Sequence, residues 1–353
     1  MQQFETEIYL RYKQIIQDSV ILDPGVQRTI GEGIHATSCR RSREDGNPSS
    51  SVSKPRSVTL PEIIDRYDAF CFDGYGTLYN RGSFVYPGAM EWFKMLRRAG
   101  KHLRLVTNAA SDIDEVLARD ADKRGFDFST EETISSGSLL RELVESLRRG
   151  ESAAHSGAAT FSRTATKPHE LREIYYIGRE TGKHVLEACG ITAVAMDAEP
   201  AEPIVAISSA KDMPETYVQA VKILRKPGAI LLVLNSDAWA PKIPDENGVT
   251  IREPVSGALS ERLRRDSMCD ANGGEGCETF YLGKPFPQIW DKVKRSLPSG
   301  SRVLMIGDTL GTDVYGAKIA GFDSALVVGR NVPAEELEAD ETVLCIRPDW
   351  YLV

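Results

Sequence analysis

The chain has 353 residues, 41% hydrophobic and 27% charged, which is enough apolar material for a large buried core. Acidic residues outnumber basic ones by 51 to 43, for a formal net charge of -8 at pH 7. Because nucleic-acid binding needs a surplus of positive charge, this balance argues against that class of function. At about 150 residues per domain, the length predicts roughly two domains.

Two further classes of protein are disfavoured by the sequence. No stretch approaches the roughly 18 apolar residues of a membrane span, and residues 1–16 lack the apolar run of a secretory signal. The six cysteines form neither a Cys-x-x-Cys pair nor a cluster with histidine, so no disulfide framework or zinc site is predicted. We expect a cytoplasmic protein that does not contact a membrane.

The first 60 residues are predicted to form a helix followed by a flexible polar segment. Residues 1–20 repeat apolar side chains, such as Ile8 and Tyr12, at helical spacing. Residues 34–58 are rich in serine, arginine, glycine and asparagine, and they bury too little apolar surface to offset the entropy lost on ordering.

After residue 60, short apolar strands alternate with amphipathic helices. Strands are predicted at residues 69–73 and 102–108, with a helix between them over residues 87–99. The alternation continues to the end of the chain. This pattern predicts an α/β fold in which a parallel sheet is flanked by helices.

Two polar stretches interrupt the alternation, at residues 148–167 and 272–277. Such stretches mark domain boundaries because few contacts cross them. We therefore predict one α/β unit formed by residues 61–148 and 271–353, and a second α/β unit, residues 149–270, inserted into it.

Polar side chains stand at the ends of four predicted strands. They are Asp73 in FDGYGTL, Thr107 and Asn108 in VTNAAS, Lys284 in YLGKP, and Asp308 with Asp313 in GDTLGTD. The carboxyl ends of parallel strands form the ligand-binding edge of such sheets, so we expect these side chains to converge. Two carboxylates five residues apart repel one another, and a divalent cation between them would offset that cost.

In this order along the chain, the four elements resemble those of the haloacid dehalogenase superfamily. More than 170 residues separate Thr107 from Lys284, so the inserted unit lies between the second and third elements. This position is similar to that in the type IIA branch, the C2-capped, NagD-like proteins. The resemblance implies a Rossmann-like core with a parallel sheet flanked by helices, plus an inserted α/β C2 cap domain.

The resemblance also implies a reaction and a cofactor. Asp73 would attack phosphorus to form an aspartyl-phosphate, while Thr107 and Lys284 would bind the phosphoryl oxygens. Mg²⁺ would be held by Asp73, the backbone carbonyl of Tyr75 and Asp308. Asp313 would lie next to the ion or bind it.

Tyr75 is the main departure from the family pattern. Family phosphatases carry a second aspartate at this position, which protonates the leaving oxygen and then deprotonates water. Loss of such a group costs about 10²- to 10⁴-fold in rate for a poor leaving group. A tyrosine hydroxyl with an ordinary pKa near 10 can donate a proton but is a poor base at neutral pH.

Three functions remain open on these grounds. The first is a Mg²⁺-dependent phosphatase acting on a small phosphorylated metabolite, with an altered general acid and base at Tyr75. The second is a carbon–halogen hydrolase, because family dehalogenases also carry tyrosine there; they lack a metal-binding acidic pair such as Asp308 and Asp313. The third is a non-catalytic, regulatory protein that binds a phosphorylated ligand.

The inserted unit is expected to choose the substrate and to mediate any homodimer. A loop in the run NSDAWAPK can fold over the site and exclude water. The candidate substrate-binding residues, beyond Thr107 and Lys284, are Gly76, Asn108, Asn235, Asp237 and Trp239.

Overall fold

The computed structural model describes residues 2–22, 55–150, 159–160, 168–209, 214–268 and 276–353. Within these residues the chain builds two open sheets, each with helices packed on it. The flexible segment predicted after the N-terminal helix and most of the polar 148–167 stretch lie outside the described residues.

The first sheet has seven strands in the described residues, and every neighbouring pair is parallel. Its spatial order is β1-β15-β14-β13-β2-β3-β4. The strands are β1 Arg56–Val58, β2 Ala69–Phe72, β3 His102–Thr107, β4 Thr133–Ser135, β13 Val303–Gly307, β14 Asp323–Val327 and β15 Trp350–Leu352. All residues of β2 and β13 are buried, as expected for central strands covered on both faces. The predicted parallel α/β sheet is confirmed.

Five helices connect successive strands of this sheet within the described residues: α2 Leu60–Ile63, α3 Ala89–Arg98, α4 Asp114–Asp122, α10 Tyr315–Ala320 and α11 Leu337–Leu344. Two more link the first sheet to the second: α5 Leu140–Arg148 follows β4, and α9 Pro287–Ser296 precedes β13. The helix predicted at residues 87–99 is confirmed as α3, which begins after Gly88 in the left-handed conformation. A five-residue π-helical turn, Leu310–Val314, joins β13 to α10.

The second sheet has six strands in the described part of the chain, in the order β5-β12-β9-β8-β6-β7. They are β5 Ala159–Thr160, β6 Glu173–Ile177, β7 Thr192–Ala193, β8 Ile204–Ile207, β9 Ile230–Val233 and β12 Glu278–Tyr281. Its helices are α6 Lys183–Glu187, α7 Pro214–Leu224 and α8 Ser256–Asp266, and a small hairpin pairs β10 Trp239–Pro241 with β11 Arg252–Pro254.

Two of the predicted unit boundaries need correction. Strand β12 lies in the second sheet, where it pairs with β9, although residues after 271 were expected in the first unit. Strand β1 is an edge strand of the first sheet, although residues up to 60 were expected to precede that unit. Both errors have one cause: the pairing of a strand with a distant partner leaves no signal in its local sequence.

The N-terminal helix α1, Gln2–Leu22, is confirmed. Its buried side chains Ile8, Tyr12, Ile15 and Ile16 form one stripe that packs into a core shared with the second sheet and with α11. Among the described helices, none combines the length and apolar character that crossing a bilayer requires.

Trp290 of α9 supports the chain segment that follows β12. The indole is 1% exposed, its Nε1 donates a hydrogen bond to the carbonyl of Pro285 at 3.2 Å, and it packs against Gly316 of α10. A Cβ on Gly316 would lie 2.4 Å from the ring, so the two helices pack closely only because residue 316 is glycine.

Replacing this indole should destabilise the protein strongly. We expect Trp290→Ala to lower the free energy of unfolding by about 3 to 5 kcal/mol, because it opens a large cavity in a closed core. Trp92→Ala, at a half-exposed tryptophan of α3, is the matched control and should cost clearly less. Urea denaturation followed by circular dichroism measures both, and equal losses would contradict the packing role of Trp290.

Candidate active site

The predicted strand-end residues converge at the carboxyl edge of the first sheet. Asp73 follows β2, Thr107 ends β3 and Asp308 follows β13, and these three strands are direct neighbours. Lys284 follows β12 and reaches the same place from the second sheet. The site therefore lies where the two sheets meet.

Lys284 is the central side chain of the site. It is 1% exposed, and its Nζ lies 2.6 Å from Oδ1 of Asp73 and 2.8 Å from Oδ1 of Asp313. Nζ also donates a hydrogen bond to the carbonyl of Val106 at 2.8 Å. Burial alone would lower the pKa of Lys284, but the carboxylates of Asp313 and Asp73 raise it above its ordinary value, so the ammonium stays charged.

Three buried carboxylates surround this ammonium. Oxygens of Asp73, Asp308 and Asp313 lie within 4.8 Å of one another. Burial raises the pKa of Asp73 to about 7, even though Lys284 lowers it, and burial together with the charges of Asp73 and Asp313 raises the pKa of Asp308 well above its ordinary value. Three carboxylates beside one ammonium leave two negative charges uncompensated, which is the charge deficit that a divalent cation fills.

The two aspartates of the last motif differ in their hydrogen bonds. Oδ2 of Asp313 accepts hydrogen bonds from the backbone N–H groups of Asp308 and Thr309, at 3.2 and 3.1 Å. Among the described residues Asp308 accepts one hydrogen bond, from the Thr309 hydroxyl to Oδ1, whereas its buried Oδ2 has no hydrogen-bond partner there. A buried, unpartnered carboxylate oxygen is costly, so Oδ2 of Asp308 is the atom best suited to bind a cation.

Gly76 allows this oxygen to approach the loop after Asp73. Its φ is +101°, and a Cβ there would lie 2.0 Å from Oδ2 of Asp308. Any other residue would be strained and would also displace the carboxylate. Tyr75, next to it, is half-buried, and its ring packs edge-on against Tyr79 with the centroids 5.1 Å apart.

Thr107 and Asn108 have different surroundings. The Thr107 hydroxyl oxygen accepts a hydrogen bond from the N–H of Ala109 at 3.1 Å and donates to none of the described residues. The Asn108 amide is occupied: Nδ2 donates to the carbonyl of Lys284 at 2.9 Å and to Oδ1 of Asp237 at 2.8 Å, and Oδ1 accepts from the Lys284 N–H at 2.6 Å. Asn108 therefore fixes the Lys284 main chain against the first sheet.

The candidates from the second unit lie at different depths. Asp237 is half-buried beside Asn108. The backbone N–H of Asp237 donates a hydrogen bond to Oδ1 of Asn235 at 2.9 Å. Trp239 is 7% exposed and packs in the core shared with α1, so its ring faces apolar side chains.

Sequence reasoning missed several residues that support the site. Asn331 donates to the hydroxyl of Thr309 at 2.7 Å, and so holds the group that donates to Asp308. Asn80 donates to the carbonyl of Pro241 at 2.9 Å, which joins the loop after Asp73 to the β10–β11 hairpin. The contribution of Thr309 could have been predicted from its position next to Asp308. The two asparagines lie in loops with no periodic pattern, so no sequence signal marks them.

Comparison with known protein families agrees with this arrangement. A family model described as haloacid dehalogenase-like hydrolase matches residues 70–192, and a second, HAD-hydrolase-like model matches residues 281–352. The two segments contain Asp73, Thr107 and Lys284 and both aspartates of the last motif.

Individual relatives span nearly the same length. A 4-nitrophenylphosphatase from Schizosaccharomyces pombe is 26% identical over 322 residues, which cover 85% of this chain and 95% of that protein. A possible sugar phosphatase from Cytophaga hutchinsonii has a TM-score of 0.66 at 20% identity, covering 84% of this chain and 97% of its own. A glycerol phosphate phosphatase from Mycobacterium tuberculosis, solved in complex with magnesium, has a TM-score of 0.55 at 23% identity. The match covers 81% of this chain and 75% of that one. The two structures share the fold of this chain.

Proposed function

The chain belongs to the haloacid dehalogenase-like hydrolase superfamily, and from this premise we propose that it is a Mg²⁺-dependent phosphatase of a small phosphorylated metabolite. The observation that carries the proposal is the buried group of three carboxylates around Lys284. Carbon–halogen hydrolysis has no use for such a group, and the relatives include a 4-nitrophenylphosphatase and a glycerol-3-phosphate phosphatase.

The residues present fit a magnesium ion. Asp308 offers a buried oxygen without a partner, and Asp73 offers a second carboxylate within 4.8 Å. The backbone carbonyl of Tyr75 would complete the protein ligands, and Asp313, engaged with Lys284 and its own turn, would stand behind them. When bound, the ion supplies positive charge for the incoming phosphate.

Asp73 is the attacking group of the proposed reaction. Its carboxylate forms a bond to phosphorus while the bond from phosphorus to the leaving oxygen breaks, which gives an aspartyl-phosphate and a free alcohol. Water then attacks the phosphorus, and inorganic phosphate and the Asp73 carboxylate are released.

Lys284 serves this reaction in two ways. Its charge lowers the pKa of Asp73 against the effect of burial, which favours the ionised form needed for attack. The same positive charge would stabilise the negative charge that develops on the phosphoryl oxygens, and the Thr107 hydroxyl, which donates to none of the described residues, can bind one of those oxygens.

The proposed ion should stabilise the folded protein. At a Mg²⁺ concentration 100 times the dissociation constant, binding adds about 2.7 kcal/mol to the free energy of unfolding, so the thermal midpoint should rise. Asp308→Asn should abolish this rise because it removes the best-placed oxygen. Glu187→Gln, an exposed carboxylate of α6, is the control and should retain it. Retention of the Mg²⁺ response in Asp308→Asn would contradict the assigned metal site.

Turnover should depend on Asp73. We expect the wild type to hydrolyse 4-nitrophenyl phosphate only with Mg²⁺, and Asp73→Asn to abolish hydrolysis, because an amide cannot attack phosphorus. Calorimetry of the same variant with Mg²⁺ and inorganic phosphate shows whether the pocket still forms. Phosphate binding by a wild type that turns over no phosphate ester or acyl phosphate would instead indicate a regulatory, non-catalytic protein.

A further inference from the structure

The proposed reaction needs a proton donor and acceptor that Tyr75 does not supply. The leaving oxygen must be protonated, and the water that attacks the aspartyl-phosphate must lose a proton. The ring of Tyr75 packs edge-on against Tyr79, and a phenol is a poor base at neutral pH. A carboxyl group whose pKa lies nearer neutrality suits both steps better.

We propose that Asp237, in the loop after β9, is the general acid and base of this site, an inference that rests on the proposed function. Oδ1 of Asp237 accepts a hydrogen bond from Nδ2 of Asn108 at 2.8 Å. The same amide makes two hydrogen bonds with the main chain of Lys284: it accepts from the N–H at 2.6 Å and donates to the carbonyl at 2.9 Å. One side chain therefore separates Asp237 from the residue that binds Asp73.

Contacts from Asn108, α8 and α1 fix the loop that carries Asp237. Its N–H donates to Oδ1 of Asn235 at 2.9 Å, and its carbonyl accepts from the N–H of Gly257, in the first turn of α8, at 2.8 Å. The hydroxyl of Tyr12, from α1, donates to the carbonyl of Ser236 at 3.0 Å. A loop held on three sides keeps its carboxyl group in one place, as a catalytic group requires.

The second carboxyl oxygen of Asp237 is available for chemistry. Oδ2 accepts no hydrogen bond from the described residues, and the side chain is only half-buried. In-line displacement places the leaving oxygen on the side of phosphorus opposite Asp73. Asp237 belongs to the second unit, whereas Asp73 stands at a strand end of the first, and the proposal places the Asp237 carboxyl group on that side.

The electrostatic environment suits this role. Burial raises the pKa of Asp237 to about 6, although Lys284 and the hydrogen bond from Asn108 lower it. The best general acid or base has a pKa near the pH at which the enzyme works. The charge of Asp237 also raises the pKa of Asp73, so the two carboxyl groups interact across the site.

Asp237 loses and regains one proton in each catalytic cycle. As Asp73 bonds to phosphorus, the protonated Asp237 gives its proton to the leaving oxygen, and the product leaves as a neutral alcohol. The Asp237 carboxylate then takes a proton from the water that attacks phosphorus. Phosphate and ionised Asp73 are released, and Asp237 is protonated again.

Substrates with different leaving groups test this assignment. In Asp237→Asn we expect kcat/KM for glycerol 3-phosphate, whose alkoxide needs a proton, to fall about 10²- to 10⁴-fold. The first step with 4-nitrophenyl phosphate should slow far less, because nitrophenolate leaves unprotonated. The loss of the base should then trap the aspartyl-phosphate and give a burst of nitrophenol equal to the enzyme concentration. Asp197→Asn, an exposed carboxylate of the same unit, is the control.

A second variant separates chemistry from folding. Tyr75→Asp in the Asp237→Asn background should restore much of the lost turnover of glycerol 3-phosphate, because it returns a carboxyl group to the neighbourhood of Asp73. Equal loss on both substrates, no burst, or no rescue by Tyr75→Asp would each overturn the role of Asp237. A wild type without Mg²⁺-dependent turnover would overturn the proposed function itself, and a wild type that depends on Asp73 but not on Asp237 would overturn this inference alone.

Discussion

The ion pairs between Lys284 and the carboxylates of Asp73 and Asp313 are the interaction on which the rest of the site depends. Lys284 follows β12 of the second sheet, whereas Asp73 follows β2 of the first sheet and Asp313 lies in the π-helical turn after β13. A buried ammonium without these partners would be strongly disfavoured, and so would the carboxylates without the ammonium. The contact that neutralises the site therefore also holds the two units together.

Neutralisation is incomplete, and this has a structural consequence. The ammonium balances one of the three carboxylates, and the backbone N–H groups of Asp308 and Thr309 donate to Asp313. Asp308 is left with a buried oxygen that accepts no hydrogen bond from the described residues, and Gly76 is the residue that lets the backbone approach it. The uncompensated negative charge is thus concentrated at Oδ2 of Asp308. This arrangement lowers the stability of the folded protein by itself, as expected of a site that binds an ion.

Local sequence predicted most of the first sheet and the members of its edge. Strand-end polar residues converge because parallel strands end at one edge, so Asp73, Thr107 and Asp308 could be placed together from the sequence. Long-range pairing could not be predicted: β12 joins the second sheet because it pairs with β9, which no local pattern records. The occupied amide of Asn108 was equally hidden, because its partners lie 129 and 176 positions away.

Moving the acid and base from residue 75 to Asp237 would change how the enzyme is controlled. A carboxyl group in the loop after Asp73 belongs to the same unit as the nucleophile and is present in any arrangement of the two units. Asp237 instead comes from the second unit: Asn108 of the first unit donates to its carboxylate, and α8 and α1 bond the main chain of its loop. Proton transfer would then require the two units to be docked, so the contacts between them would control the reaction. The N-terminal helix would be part of this control, because Tyr12 holds the loop that carries Asp237.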